Sequence, residues 1–177
     1  MLLSLFAFTS CESNSQETEE ASNDAPKMTI HEAAFLGDVE ALKAHIAAKT
    51  DLNQKDQFGS APLTIAAIFG KPKVAKLLIE AGANLNIKSG DGSTPLHSAA
   101  FFCRKEIVQM LLDKGADTSA RNNYGSTAME SIVGPFNEVK PFYDQVSRDL
   151  GPFGLKLDYA VIEETRPVIV EMIKASK

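Results

Sequence analysis

The sequence has little excess charge of either sign. Its net charge is −5 over 177 residues, and residues 12–27 account for −4 of it, with five acidic side chains against one lysine. The rest of the chain is therefore nearly neutral and offers no strongly basic face. This distribution argues against a nucleic-acid partner.

Cysteine and histidine are also scarce. There are two cysteines, Cys11 and Cys103, and three histidines, His31, His45 and His97. None of them has metal-ligand spacing, alone or with carboxylates. The chain also contains no nucleophile elbow, phosphate-binding loop, dinucleotide fingerprint or acidic dyad. We therefore predict a protein that is not an enzyme, has no cofactor or metal, and takes no small-molecule substrate.

Long apolar runs are absent, and the apolar run at the N-terminus is short. It extends from Leu2 to Phe8, whereas a membrane-spanning helix needs roughly 20 residues. Its length suits the apolar region of a signal peptide. The next residues, Phe8 to Cys11, resemble the lipobox of bacterial lipoproteins, whose cysteine becomes the first mature residue and carries the lipid. The resemblance implies a signal peptide at 1–10, lipidation of Cys11, and a place in the bacterial cell envelope. The alternative is an N-terminus with an ordinary cysteine.

Residues 12–27 are rich in Ser, Glu, Asn and Thr and contain no aromatic or β-branched cluster. Such a segment cannot bury enough surface to offset the entropy of ordering it. We predict that 11–27 is a lipidated cysteine with a disordered tether that reaches roughly 20–25 Å. The membrane contact would then be a lipid anchor, at the outer membrane or its periplasmic face.

Several residue types in the central part of the chain recur with one fixed sequence period, which is the spacing from Gly59 to Gly92. The recurring residues are Gly59, Gly92 and Gly125; Pro62-Leu63 and Pro95-Leu96; Ala33-Ala34, Ala66-Ala67 and Ala99-Ala100; and Gly82-Ala83-Asn84 and Gly115-Ala116-Asp117. A fixed period of this length is typical of repeat arrays, in which each unit buries its apolar face against its neighbours.

One period resembles the ankyrin signature closely. The family's T-P-L-H sequence is present as Thr94 to His97. The resemblance covers 28–133, with three repeats and a partial fourth. It implies an all-α solenoid of helix–turn–helix repeats with β-hairpin fingers, and a protein-binding function. Pro95 agrees with this, since proline suits the first position of a helix.

The period ends at Gly134-Pro135, and we predict that 134–177 is a helical C-terminal cap, because a terminal repeat needs an altered outer face. Residues 136–150 suit a helix, with a kink or restart at Pro141. Asp158 is predicted to cap a short helix, and Thr165 with Pro167 to begin another.

Three single residues are also of interest. The resemblance implies that His97 braces a hairpin and a helix start, while His45 is expected to be exposed or half-exposed. Cys103 lies one full period after Gly70, at a position that often has positive φ. The Arg104-Lys105 pair that follows it could activate its thiol. We interpret Cys103 as inert, with a redox or nucleophilic role as the alternative.

The residues predicted to bind a partner are apolar. The resemblance implies recognition through hairpin tips and the exposed side of each first helix. Those positions carry Phe35, Leu36, Phe58, Ile68, Phe69, Phe101, Phe102 and Tyr124. Stacked at one-repeat intervals, they predict an apolar ladder along the concave side, larger than a monomer normally exposes. The apolar ladder is either a groove for a protein partner or a surface covered by the tether or the C-terminal segment.

The leading hypothesis is a lipid-tethered adaptor or inhibitor in the bacterial cell envelope. One alternative is an accessory factor of a periplasmic enzyme, such as a redox enzyme, in which Cys103 takes part. Another is a structural envelope protein that self-associates through the apolar ladder.

Overall fold

Paired helices make up the repeated part of the protein. The computed structural model describes residues 27–176, so Cys11 and the predicted tether up to residue 26 lie outside the described part. Three pairs follow the period of the sequence: α1 (Ile30–Leu36) with α2 (Val39–Ala47), α3 (Pro62–Phe69) with α4 (Pro72–Glu80), and α5 (Pro95–Phe101) with α6 (Lys105–Asp113). The helices α7 (Phe136–Leu150) and α8 (Tyr159–Ala175) follow, separated by a 3-10 turn at Gly151–Phe153.

The prediction of an all-helical solenoid with a C-terminal helical segment is confirmed. Within 27–176 there is no regular strand. In the same range no helix combines the length and the apolar character needed to cross a bilayer.

Small residues allow the repeats to stack closely. Helix α1 packs on α3, and α3 packs on α5. The Ala-Ala pairs at these contacts, such as Ala66-Ala67, are fully buried. One apolar cluster extends from Ile30 in the first repeat to Ile173 in α8. Helix α8 therefore shares the core of the repeats.

The predicted hairpin fingers are tight turns. In the third repeat the Ser89 N–H donates to the Ser93 carbonyl at 2.9 Å. Neighbouring turns are joined, since the Asn123 N–H donates to the Asp91 carbonyl at 2.9 Å. The turns thus form a row of tips along one edge of the array.

The turn between the two helices of each repeat contains one residue with a left-handed backbone conformation. These residues, Gly37, Gly70 and Cys103, have φ of +81°, +62° and +54°. The Arg104 side chain of the third repeat covers Gly70 of the second. At Cys103 the next unit is α8, and the thiol lies 3.6 Å from the Ile162 carbonyl. Helix α8 therefore takes the place of a further repeat.

The fourth repeat has no first helix. Residues 128–132 form only hydrogen-bonded turns. Gly134, with φ +116°, and Pro135 follow and prevent the turns from extending.

Neither proline in the C-terminal helices begins or ends a helix. Helix α7 runs unbroken through Pro141, and α8 through Pro167. Asp158 caps α8 as predicted, accepting two backbone N–H groups at 3.1 and 3.2 Å. The separate helix predicted to begin at Thr165 is wrong. Both prolines are exposed, so water can satisfy the carbonyl that each leaves without a donor, and the buried face of α8 holds the helix together.

The expectation that His45 is exposed is also wrong. The side chain is buried, and its ring nitrogens lie 2.8 Å from the Met28 carbonyl and 3.1 Å from the Thr50 hydroxyl. Leu78 occupies the same position one repeat later and is also buried. In the first repeat the histidine ring fills this core position and holds the segment that leads into α1.

Candidate binding groove

A groove of about 680 Å³ lies between the row of tips, the first helices of repeats two and three, and α7. Apolar side chains of the first helices line it on one side, and Phe142 and Val146 of α7 line it on the other. Five of the eight predicted partner-binding residues contribute to it: Phe58, Ile68, Phe101, Phe102 and Tyr124. We call Ile68, Phe101 and Phe102 the apolar floor.

The other three predicted residues lie outside the groove lining, toward the N-terminal end of the array. The rings of Phe35 and Phe69 meet edge to face with centroids 4.6 Å apart. Leu36 is 57% exposed. The predicted apolar ladder is therefore divided into a groove at repeats two and three and a separate apolar contact at repeats one and two.

Helix α7 covers one end of the apolar ladder. The rings of Phe101 and Tyr143 stack with centroids 4.4 Å apart. The Tyr143 hydroxyl donates to the Phe101 carbonyl at 2.6 Å. Phe102 is only 8% exposed. The C-terminal segment therefore covers the floor near Phe101, while the tips Phe58 and Tyr124 stay exposed.

Three aromatic side chains stand at the rim of the groove. Phe58 is 73% exposed, Tyr124 79% and Phe142 65%. The first two follow from the repeat period, but the place of Phe142 depends on how α7 packs. Sequence reasoning missed Phe142 because no period relates α7 to the repeats.

The tip of the third repeat carries a carboxylate, Asp91. It occupies the same position in the repeat as Phe58 and Tyr124, one period from each. One of its oxygens, Oδ1, accepts the Ser89 hydroxyl at 2.7 Å and the Ser93 N–H at 3.0 Å. The other, Oδ2, accepts the Ser93 hydroxyl at 2.8 Å. Sequence reasoning also missed Asp91, although the repeat period marks its place.

Asp91 is ionised at neutral pH. Desolvation raises the pKa of its carboxyl group, but the hydrogen bonds from Ser89 and Ser93 outweigh it and lower the pKa below the usual range. Among the described residues that line the groove, Asp91 is the one Asp, Glu, Lys or Arg.

His97 braces the site as the resemblance implied. Its Nδ1 accepts the Thr94 N–H at 3.2 Å, and its Nε2 lies 3.0 Å from the Ser126 carbonyl. Burial lowers the pKa of His97, although the hydrogen bond to the Ser126 carbonyl opposes this. The ring is therefore neutral at pH 7, with Nε2 as the donor to Ser126.

Thr64 takes the place of this histidine in the second repeat. The Thr64 side chain is 1% exposed and lines the groove. Its hydroxyl has no hydrogen-bond partner among residues 27–176. A buried polar group in this state costs free energy until a partner satisfies it.

Cys103 lies outside the groove, between α5 and α8. Burial raises the pKa of its thiol to about 11, against the opposing effect of Arg166 and Arg104. The thiol is therefore protonated at neutral pH, because the opposing effect of Arg104 is smaller than that of burial.

The described part of the chain contains no group of three or more His, Cys, Asp or Glu side chains that could hold a metal ion. A family model for ankyrin repeats matches three copies over residues 30–122. This range extends from the start of α1 to the turn of the fourth repeat. No curated protein matches the chain.

Proposed function

Because this chain belongs to the ankyrin-repeat family, we propose that it binds a protein partner in the groove between the tips and α7, as an adaptor or inhibitor in the bacterial cell envelope. Ankyrin-repeat proteins are typically binding scaffolds without enzymatic activity, and this sets the general class of function.

The observation that carries the proposal is the open aromatic rim above an apolar floor. Phe58, Tyr124 and Phe142 are each more than half exposed around one cavity. Aromatic side chains are enriched in protein interfaces and often supply most of the binding energy. Contiguous exposed apolar surface often marks an interaction site, which supports the proposal.

The envelope part of the proposal rests on the N-terminal sequence. The lipobox-like residues Phe8 to Cys11 and the acidic, Ser-rich residues that follow them precede the first helix. A lipid on Cys11 would hold the repeats near a membrane surface, and residues 12–27 would let the groove reach a partner there.

The test compares two double variants of the full chain as bait on envelope extracts. The groove variant is Phe58→Ala/Tyr124→Ala. The matched control is Phe153→Ala/Val161→Ala, whose side chains are 63% and 52% exposed and lie outside the groove. Both variants should fold, since exposed substitutions usually change stability by less than about 0.5 kcal/mol.

We expect proteins captured by the wild type and the control to be lost from the groove variant. Binding of an identified partner should weaken at least roughly tenfold, because truncation of an interface anchor costs more than about 1.4 kcal/mol. Equal capture by all three proteins, or capture of nothing but a second copy of the chain, would contradict the proposal. The second outcome would favour self-association.

A further inference from the structure

Three neighbouring tips stand beside the groove. The middle tip carries a carboxylate, and the tip on each side of it carries an aromatic residue. Phe58, Asp91 and Tyr124 occupy one position of the repeat, and all three line the groove. The Asn123 N–H holds the Asp91 backbone against the next tip. The carboxylate therefore stands in a row between two exposed rings.

The carboxylate charge is not required by the turn that holds it. In the neighbouring turn, the neutral amide oxygen of Asn122 accepts the N–H groups of Tyr124 and Ser126, both at 3.1 Å. The third repeat has Ser89 at that position, and Asp91 accepts the Ser93 N–H instead. An amide oxygen at position 91 could accept the same N–H group. The negative charge is thus available for another purpose.

The free acceptor capacity of Asp91 is on Oδ2. That oxygen accepts one hydrogen bond, from the Ser93 hydroxyl, whereas a carboxylate oxygen can accept two. Because His97 is neutral and the described lining contains no Lys, Arg or Glu, the groove carries one negative charge. An acidic occupant would be repelled and a basic one attracted.

The lining also matches the two parts of a basic side chain. Lysine and arginine have an apolar stem and a polar head. The apolar floor suits the stem, and the hydroxyl-rich side with Asp91 suits the head.

We infer that the segment bound in the groove is basic and places a lysine or arginine side chain on Asp91, with its stem along the apolar floor. This inference rests on the proposed function, because it presumes that the groove binds a protein segment. It adds the chemistry of that segment.

The test uses a random dodecapeptide display library, selected on the full chain without prior choice of sequence. Three proteins are compared: the wild type, Asp91→Asn, and the groove variant Phe58→Ala/Tyr124→Ala. Asp91→Asn keeps an oxygen for the Ser93 N–H and puts an amide NH2 group in place of Oδ2, so it removes both the charge and the acceptor that would face the occupant. A second neutral variant, Ser89→Asn/Asp91→Tyr, introduces the residues that the fourth repeat has at these two positions. It shows whether a loss of binding in Asp91→Asn comes from a local structural defect.

We expect peptides selected on the wild type to be enriched in lysine or arginine at one position. Their affinity should fall at least tenfold on both neutral variants and should weaken as the salt concentration rises. Thermal melts of the variants should show that they remain folded.

Two results would overturn the inference. Peptides that require Phe58 and Tyr124 but show no basic enrichment, or bind Asp91→Asn equally well, would leave the proposed function standing and remove the charge preference. A selection that yields no peptide dependent on the groove would count against both.

Discussion

At the scale of single residues, Cys103 illustrates how burial outweighs charge. Two arginines, Arg104 and Arg166, favour the thiolate, yet desolvation is the larger effect and raises the pKa of the thiol to about 11. The residue also keeps a positive φ that glycine adopts in the first two repeats. Its side chain faces α8, so we interpret Cys103 as a packing residue rather than a redox group.

We predict that Cys103 reacts slowly with alkylating agents until the pH approaches 11. The free thiol has an ordinary pKa near 9.0, and the folded protein raises it. The folded state therefore holds the proton more tightly, and the stability that this contributes is lost as the pH rises from about 9 to about 11. The rate of iodoacetamide alkylation in a Cys11→Ser background, measured against pH with and without denaturant, checks this. A native rate that levels off below pH 9 would refute it.

At the scale of elements, α7 and α8 replace the repeat that would follow the third one. The last carbonyl groups of a helix have no partner within the helix. Phe101 is the final residue of α5, and the Tyr143 hydroxyl satisfies its carbonyl. Tyr143 is fully buried against that end. Helix α7 thus ends the array and at the same time forms a wall of the groove.

We predict that Tyr143→Phe lowers the free energy of unfolding by about 1 kcal/mol, since it removes one hydrogen bond and keeps the stacked ring. The neighbouring Phe142→Ala should change stability by less than about 0.5 kcal/mol, because that side chain is exposed, but should weaken partner binding. Urea unfolding followed by circular dichroism measures the stability of both variants, and capture of the partner measures the binding of Phe142→Ala. If Tyr143→Phe is as stable as the wild type, water satisfies the carbonyl equally well and the bond does not hold α7 in place.

At the scale of the whole molecule, the repeats and α8 share a continuous core from Ile30 to Ile173. In a repeat array each unit is stabilised by its neighbours. A body of this kind can present its groove from a flexible attachment without losing its shape. The proposed lipid on Cys11 would provide that attachment.

We predict that the full chain, expressed in a bacterium, incorporates labelled palmitate and sediments with membranes. Cys11→Ser should lose both properties and keep the same melting temperature, because Cys11 is proposed to lie in the lipidated segment that precedes the repeats. Fractionation, metabolic labelling and a thermal melt make the comparison. Equal distribution of the two proteins between membrane and soluble fractions would remove the lipid anchor from the proposal.

The repeats could be predicted from the sequence because their contacts join neighbouring units and recur with the period. Each unit packs on the next unit along the chain, so recurring residues such as the Ala-Ala pairs record the stacking directly. The tips Phe58 and Tyr124 follow from the same period, and so does the position of Asp91. The continuation of α7 and α8 through their prolines could not be predicted from the sequence. Tertiary packing outweighed the local preference for a helix boundary at proline.

The shape of the groove depends on contacts that do not follow the repeat period. Tyr143 meets Phe101 across 42 residues, and Cys103 meets Ile162 across 59. These pairs arise from the way that two non-repeated helices dock on the last repeat, which stacks Tyr143 on Phe101, places the Cys103 thiol against α8 and brings Phe142 to the rim. Local spacing determines which side chains recur along the array, whereas docking of the C-terminal helices determines which of them remain open to a partner.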